Sequence, residues 1–323
     1  MASAAVSLVR ARGLTKRYPG VTALDNVDLD LPAGRVGLVG ANGAGKTTLF
    51  RLLLGLSRPD AGTIDVFGIP VADDPIAVRS RIGYMPEHDC LPLDQTAADV
   101  VATFGELGGL PVRAARQRAS EVLDLVGLDE ARFRPVGGFS TGMRQRTKLA
   151  QAIVADPKLV LLDEPTAGLD PSGREEMLAL VARLASFGIA VVLATHLLDD
   201  VARVCDHVVM LDAGRLVTDA PTTTLLRQTG SVTVDVGPAA VPGLTAALTA
   251  RGLVVTVPDH GGAVEVTVST DAELDAIRDV VADLGLPLHR LTNRLTSLDD
   301  VFVHRAPSSA ATPAPAPSPV EAP

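Results

Sequence analysis

The sequence predicts an α/β protein, with a large domain built on a mostly parallel sheet and a smaller α+β domain after it. Short apolar runs typical of buried strands alternate with helical patterns, and this alternation is typical of parallel sheets covered by helices. Apolar residues make up 47% and aromatic residues 3% of the 323 residues, so the core is aliphatic, as in most parallel sheets. The pattern changes near residue 227, which indicates a domain boundary.

The first domain is predicted to cover residues 1–227. Its predicted strands are Leu8–Arg12, Val27–Leu31, Val36–Val39, Leu159–Leu162 and Ala190–Ala194. A helix over Thr48–Leu54 follows the third of these strands. Strand signals are weak between about residues 91 and 156, so we expect an inserted helical subdomain there. Its helical patterns cover Thr96–Leu107, Val112–Val126 and Thr141–Ala155.

The second domain is predicted over residues 231–304, in the order strand, helix, strand, strand, helix, strand. This is the order of the split βαβ, ferredoxin-like fold. Its second helix begins with Thr270 and Glu273, the residue types of a capping box. The predicted elements are Val232–Val236, Pro242–Arg251, Leu253–Val257, Ala263–Val268, Asp271–Leu284 and Pro287–Leu291, with a turn at Gly261 and Gly262. Residues 306–323 are mostly Ala, Pro and Ser, a composition that predicts disorder.

Composition and charge argue against several classes of protein. A formal net charge of −9 disfavours a general nucleic-acid binder, and we expect no nucleic-acid partner. Cys90 and Cys205 fit neither a CxxC pair nor zinc-ligand spacing, which predicts reduced thiols and a reducing compartment. The chain contains no apolar run of about 18 residues, so we expect neither secretion nor a membrane span.

The segment Gly40–Thr47 reads GANGAGKT and directly follows the predicted strand Val36–Val39. It fits the P-loop pattern, in which glycines let main-chain N–H groups turn toward phosphate oxygens. Lys46 can reach the outer phosphates and the Thr47 hydroxyl can bind Mg²⁺, while the next helix adds the positive potential of its N-terminus. The predicted nucleotide-binding residues here are Gly40, Asn42, Gly43, Ala44, Gly45, Lys46, Thr47 and Thr48.

A plain glycine-rich turn is the alternative interpretation of this segment. With this composition the pattern would arise by chance in roughly one chain in a few hundred. Lysine usage disfavours the alternative further, because the chain has only four lysines, at positions 16, 46, 148 and 158, and otherwise uses Arg. We therefore predict a site for a nucleoside triphosphate.

The apolar strand Leu159–Leu162 is followed by two acids, Asp163 and Glu164. This arrangement would bring one carboxylate near Mg²⁺ at the P-loop and the next near the attacking water. Asp163 is therefore the predicted metal ligand and Glu164 the predicted general base. An acidic strand end that caps the next helix is the alternative, which the presence of Lys46 disfavours.

With five further segments, these motifs resemble the nucleotide-binding subunit of ATP-binding-cassette (ABC) transporters. The segment STGMRQ, which starts at Ser140, resembles the ABC signature, although its second and fourth residues depart from the commonest form. Asp170 ends a D-loop-like segment, His196 ends a strand as the switch histidine does, and Tyr18 matches the aromatic that stacks on adenine. Glu87 stands where the family usually has Gln, a variant known among export-type cassettes.

The resemblance implies an ATPase that uses ATP and Mg²⁺ as a head-to-tail homodimer, with ATP enclosed between the P-loop of one copy and the signature of the other. The resulting catalytic residues are Glu164, His196 and Lys46, the metal ligands are Thr47, Asp163 and Glu87, and further ATP contacts are Tyr18, Ser140, Gly142 and Asp170. The resemblance also implies separate membrane permease subunits and a cytoplasmic position, peripheral on the inner face of the membrane.

The signature, the Met-Pro-Glu segment that ends at Glu87, and the closing segment Leu295–Phe302 resemble the drug- and antibiotic-export branch. We expect the second domain to stabilise the dimer, with a small-ligand regulatory role as the alternative. A soluble ABC ATPase of translation or DNA repair is one rival class, which the single cassette disfavours. A module that binds ATP without turnover is another, which the presence of Glu164 disfavours.

Overall fold

The computed structural model describes residues 7–227, 230–258, 262–268 and 270–294. The chain divides into two compact units, with the boundary between Gln228 and Thr229. The predicted tail at 306–323, the closing segment Leu295–Phe302 and the turn residue Gly261 lie outside the described residues. The two units are described separately below.

The first unit opens with a small antiparallel sheet that precedes and flanks the P-loop. Its elements are β1 (Ser7–Tyr18), β2 (Val21–Pro32), β3 (Arg35–Val39), α1 (Lys46–Leu53), β4 (Ala61–Val66), β5 (Ile69–Pro70), α2 (Pro75–Arg79) and β6 (Ile82–Met85). Strands β2, β1, β4 and β5 form this sheet in that order, and all their pairings are antiparallel. The first two strands are longer than the sequence predicts, because bulges let the β1 ladder continue past Gly13.

The regular elements between residues 91 and 156 are all helical. They are α3 (Ala97–Leu107), α4 (Val112–Leu125), two 3₁₀ turns (Asp129–Phe133 and Val136–Gly138) and α5 (Thr141–Ile153). Thr96 caps α3 by accepting a hydrogen bond from the Asp99 amide, and Ser140 caps α5 by accepting one from the Met143 amide. The helix carrying the signature-like sequence therefore begins at the residue that the sequence marks as its N-cap.

A six-stranded sheet completes the first unit. The remaining elements are β7 (Leu159–Asp163), α6 (Pro171–Ser186), β8 (Ala190–Thr195), α7 (Leu198–Val204), β9 (His207–Asp212), β10 (Arg215–Pro221) and α8 (Thr222–Arg227). The strand order is β10-β9-β3-β8-β7-β6, parallel except for β10. Every residue of β7 and β8 is buried, as expected for strands covered on both faces. Because parallel strands share a direction, β3, β7 and β8 all end at one edge of the sheet, where a ligand can bind.

The second unit contains β11 (Gly230–Asp235), α9 (Val241–Ala250), β12 (Val254–Thr256), β13 (Ala263–Val268), α10 (Asp271–Asp283) and β14 (Arg290–Arg294). Its sheet is antiparallel in the order β12-β13-β11-β14, and its helices bury Leu244 and Ile277 against it. The capping box predicted at Thr270 and Glu273 is confirmed. The last strand begins three residues later than predicted, since Pro287 has no N–H for the ladder.

Candidate functional site

The P-loop connects the end of β3 to the start of α1. Gly45 caps α1 with φ of 109°, and a Cβ at Gly40 would lie 2.4 Å from the main-chain oxygen of Leu211, so both positions require glycine. Lys46 is 6% exposed, and its ammonium donates a hydrogen bond to the Gly40 oxygen at 2.6 Å. The loop thus folds around its own lysine.

Two buried carboxylates stand at the end of β7, beside this lysine. The Thr47 hydroxyl donates to Asp163 Oδ2 at 3.1 Å, and Lys46 Nζ lies 3.6 Å from Glu164 Oε1. Burial raises the pKa of Asp163, and the hydrogen bond from Thr47 partly offsets this effect. Glu164 has a φ of 48°, an unfavourable conformation for a residue with a side chain, as found at functional sites.

The carboxylate of Glu164 is also contacted from the end of β8. The Thr195 hydroxyl donates to Oε2 at 3.2 Å, and His196 Nδ1 lies 3.1 Å from both carboxylate oxygens. The His196 side chain is 51% exposed, while that of Glu164 is 6% exposed. Lys46 at the start of α1 and Thr195 and His196 at the end of β8 therefore hold one carboxylate in place.

A cavity of about 350 Å³ lies above these groups. It is lined by Val21, Ala23, Ala41, Asn42, Gly43, Gly45, Lys46, Thr47, Thr48, Glu87, Asp163 and Glu164. Of the other predicted contacts, Gly40 and Ala44 lie in the loop beneath the cavity, where Ala44 is buried. Tyr18 pairs with Val21 at the rim, is 37% exposed, and has the Lys16 ammonium 5.5 Å from its ring centroid. We call this space the P-loop cavity.

Ser140, Gly142 and Asp170 do not reach the P-loop cavity of their own chain. They line a separate cavity of about 510 Å³ with Thr141, Met143, Arg146, Gly168, Leu169, Ser172, Gly173, Glu176 and Met177. Ser140 is the N-cap of α5 and Asp170 that of α6, so two helix N-termini face this space. We call it the signature cavity. One chain therefore carries two half-sites at different places.

Three residues near these cavities have no role in the sequence-based predictions. Lys148 of α5 is 1% exposed, and its ammonium donates to the main-chain oxygen of Glu87 at 2.8 Å. Asp200 of α7 is 0% exposed and accepts hydrogen bonds from Thr166 at 2.7 Å and Arg174 at 2.6 Å. The rarity of lysine offered a signal for Lys148, whereas Asp200 offered none.

The third of these residues is Tyr84 of β6, which packs edge-on against Phe50 with 6.2 Å between ring centroids. Burial raises its pKa to about 12, with the negative charge of Asp163 and a hydrogen bond to it acting in the same direction. The Tyr84 hydroxyl therefore stays protonated beside the Asp163 carboxylate.

Comparison with known proteins identifies the family. Residues 24–167 match the family model described as ABC transporter. Over 90% of this chain and 93% of the relative, the sequence is 37% identical to a daunorubicin resistance ATP-binding protein, DrrA3, of Streptomyces coeruleorubidus. The chain belongs to the ABC transporter family. The chain is also 32% identical to the Nod factor export ATP-binding protein I of Ralstonia nicotianae, over 92% of both chains.

A solved ABC structure resembles the cassette core. It is the dimer of an ATP-binding cassette in a post-hydrolysis state bound to ADP and Pi, with a TM-score of 0.61 and 25% identity over 66% of this chain and 98% of its own. The fold class predicted from the sequence is confirmed.

The cassette is thus the ATP-binding, ATP-hydrolysing subunit of an ABC transporter. ATPases of this family dimerise and work with membrane permease subunits. In the part of the chain that the structure describes, no helix has the length and apolar character needed to cross a membrane.

Proposed function

We propose that two copies of the cassette hydrolyse ATP between them in a head-to-tail dimer. The observation that supports this proposal is the separation of the P-loop cavity from the signature cavity on one chain. A head-to-tail pairing would bring each P-loop cavity against the signature cavity of the other copy. The active site would then be complete only when the dimer is closed, so that hydrolysis and closure are coupled.

In this proposal the P-loop binds the phosphates, with Lys46 and the loop amides neutralising their charge. Glu164 polarises the attacking water as the general base, because its buried carboxylate is held by Lys46, Thr195 and His196 at the cavity, while Asp163 is held by Thr47. His196 contacts Glu164 from the exposed side, where it can turn toward the γ-phosphate. Tyr18 stacks on the adenine at the rim of the cavity.

The side chains at the floor of the P-loop cavity also fit Mg²⁺. Thr47, Asp163 and Glu87 offer oxygen ligands, the type that Mg²⁺ prefers, and Asp163 is a buried carboxylate with a raised pKa. When bound, Mg²⁺ would neutralise phosphate charge in the transition state. We assign Thr47 and Asp163 as ligands, with Glu87, which lines the same cavity, as a further oxygen ligand.

The signature cavity supplies the second half of the site in this proposal. The N-termini of α5 and α6 carry partial positive charge and free main-chain N–H groups, which suit an anion. Ser140 and Gly142 of one copy would contact the γ-phosphate held by the other, and Asp170 would order the start of α6. The dipoles of α5 and α6 in one copy would therefore add to the positive charge of Lys46 in the other copy.

We propose further that a permease subunit binds in an apolar groove between the core and the helical segment. This groove has a volume of about 350 Å³ and a mostly apolar lining, which includes Leu54, Leu56, Tyr84, Phe104 and Gln151. Leu56 lines this groove and is 63% exposed, so its side chain is available to a partner. Such a contact would hold the cassette at the inner face of the membrane.

The direction of transport that we propose is export of a small compound. The support is that relatives are named for daunorubicin resistance and for Nod factor export. These names do not favour the rival class of translation or DNA-repair ATPases. The cargo itself would bind to the permease, so its identity follows from that partner.

The first test is affinity purification of the full chain as the Glu164→Gln variant, with ATP, from gently solubilised membranes. The substitution should lower ATP hydrolysis by about 10²- to 10⁴-fold while ATP binding and the dimer persist. Mass spectrometry should then identify a membrane permease. Recovery of ribosomal or DNA-repair proteins instead, or full hydrolysis by the variant, contradicts the proposal.

A matched pair of variants tests the groove. Leu56→Asp places a charge in the groove and should remove the permease from the purified material. Phe187→Asp places the same charge on a residue that is 56% exposed elsewhere, and the permease should be retained. Equal recovery with both variants would exclude the groove as the permease contact.

A further inference from the structure

Lys148 is among the largest side chains that are fully buried, with 1% of its surface exposed. Lysine is almost never buried to this extent, because removing an ammonium from water is costly unless other groups replace the water. Lys148 lies about two helical turns along α5 from Ser140, the first residue of the signature. A buried charge on this helix therefore needs an explanation in terms of what it contacts.

The ammonium of Lys148 contacts the main chain of the segment after β6. It donates to the oxygen of Glu87 at 2.8 Å and lies 3.5 Å from that of His88. Gln151, three residues further on the same face of α5, has its Oε1 3.8 Å from Cys90 Sγ. Helix α5 thus holds the segment 87–90 at two points.

This segment brings Glu87 to the P-loop cavity, which Glu87 and Asp163 both line. The position of Glu87 in this cavity therefore depends on the main chain that Lys148 holds. The negative charges of Asp89, Glu87 and Asp163 also stabilise the ammonium, against the burial that lowers the pKa of Lys148. The ammonium of Lys148 therefore interacts with acidic groups of the P-loop cavity, although Lys148 lies on α5, the helix that carries the signature.

We propose that Lys148 is a positioning residue that fixes the main chain at Glu87 and His88 to α5. Glu87 then follows the helix that carries the signature, so the two half-sites of one chain, the P-loop cavity and the signature cavity, move together. The inference rests on the proposed function only for the role of Glu87 at the ATP site; the tie between the helix and the segment stands on the contacts themselves.

The test uses the full chain with a nitroxide spin label on Cys90. Burial raises the pKa of both thiols, but Cys90 is exposed whereas Cys205 is buried, so the accessible Cys90 reacts first. Lys148→Met has a similar length without the charge and the donor. Lys158→Met makes the same change at an exposed lysine and serves as the control.

We expect Lys148→Met to increase the mobility of the label, seen as narrower lines in the electron paramagnetic resonance spectrum. We expect kcat for ATP hydrolysis to fall about tenfold, the cost of one charge-assisted hydrogen bond, while KM for ATP stays nearly constant. Lys158→Met should change neither quantity.

An immobile label together with an unchanged kcat in Lys148→Met overturns the proposal and leaves a purely space-filling lysine. If the methionine variant does not fold, Lys148→Leu, which also removes the charge and the donor, replaces it, and an immobile label there has the same meaning. The label reports on the segment without hydrolysis or a permease. Failure of this inference is therefore distinguishable from failure of the proposed function, which Glu164→Gln tests.

Discussion

The P-loop cavity and the signature cavity differ in how their charges are arranged. The first has buried ionisable groups at its floor, Lys46, Asp163 and Glu164, that already contact one another or their neighbours. The second is lined mostly by partly or fully exposed residues around the N-termini of α5 and α6. We infer that the P-loop cavity provides the groups for the chemistry and that the signature cavity receives a phosphate held by a second copy.

A negative charge added to the signature cavity should lower the rate of ATP hydrolysis, and this is the largest effect that we expect. Ser140→Asp keeps a side chain that can cap α5 and places a carboxylate where the γ-phosphate of the other copy would lie. Two like charges about 4 Å apart near a protein surface repel by about 4 kcal/mol, so ATP hydrolysis should fall by about 1,000-fold. Phosphate release measures the rate, and equilibrium dialysis should show unchanged ATP binding to the single chain.

Thr270→Asp changes the N-cap of α10 in the same way and is the control, with hydrolysis expected at the parent rate. A large loss of ATP binding in Ser140→Asp would mean that the two cavities are not separate half-sites. The proposed division of roles between the two cavities would then be wrong.

Loss of charge from the P-loop cavity should act on binding instead. Lys46→Ala removes an ammonium at the phosphate position, and the Kd for ATP should rise by about 100-fold, near the upper value for hydrogen bonds to charged groups. Isothermal titration calorimetry measures the change, with Lys158→Ala as the exposed control. An unaltered Kd would place the phosphates elsewhere.

Tyr18, at the rim of the P-loop cavity, should contribute less to ATP binding than Lys46 does. Tyr18→Ala should weaken ATP binding by about tenfold through loss of base stacking, and Tyr18→Phe should retain it because the ring is kept. GTP competition would sharpen this assignment, since stacking alone discriminates weakly between the bases. If alanine and phenylalanine behave alike, the ring of Tyr18 does not contact the base.

The smallest effect that we expect is that of Asp163 on the free energy of unfolding. Since the pKa of Asp163 is raised in the folded chain, the folded state binds more protons than the unfolded state above the ordinary value of 3.8, and the free energy of unfolding falls as pH rises through that window. Asp163→Asn removes this penalty, so its melting temperature without nucleotide or Mg²⁺ should exceed that of the parent at neutral pH. The difference should shrink toward pH 3.8. A lower melting temperature at neutral pH would contradict the sign.

Local motifs explain why the P-loop cavity was largely predictable from the sequence. Its loop, lysine and acids occupy short segments beside apolar strands, and parallel strands bring their ends together. The strand β6 was missed because it has only four residues, Ile82–Met85, one of them glycine. A Cβ at Gly83 would lie 1.9 Å from the main-chain oxygen of Ala152, so a contact with α5 determines that residue.

The contacts that link the motifs were not predictable. Lys148 reaches Glu87 across 61 positions, and Asp200 joins Thr166 and Arg174 from 34 and 26 positions away. No periodicity within one element records such pairs, because they depend on how α5 and α7 pack. The roles assigned to the individual ATP-site residues stay predictions until the variants above are measured.

Before any phosphate arrives, the Lys46 ammonium is already shared between the Gly40 oxygen and the Glu164 carboxylate. If Lys46 binds the phosphates as we propose, an incoming nucleotide must compete with these internal acceptors, so its affinity is the difference between two sets of interactions rather than the sum of one. The same competition acts when the product leaves, because the vacated lysine returns to partners within its own chain. A site that satisfies itself in this way favours repeated exchange of nucleotide over permanent retention, which is what a cyclic ATPase requires.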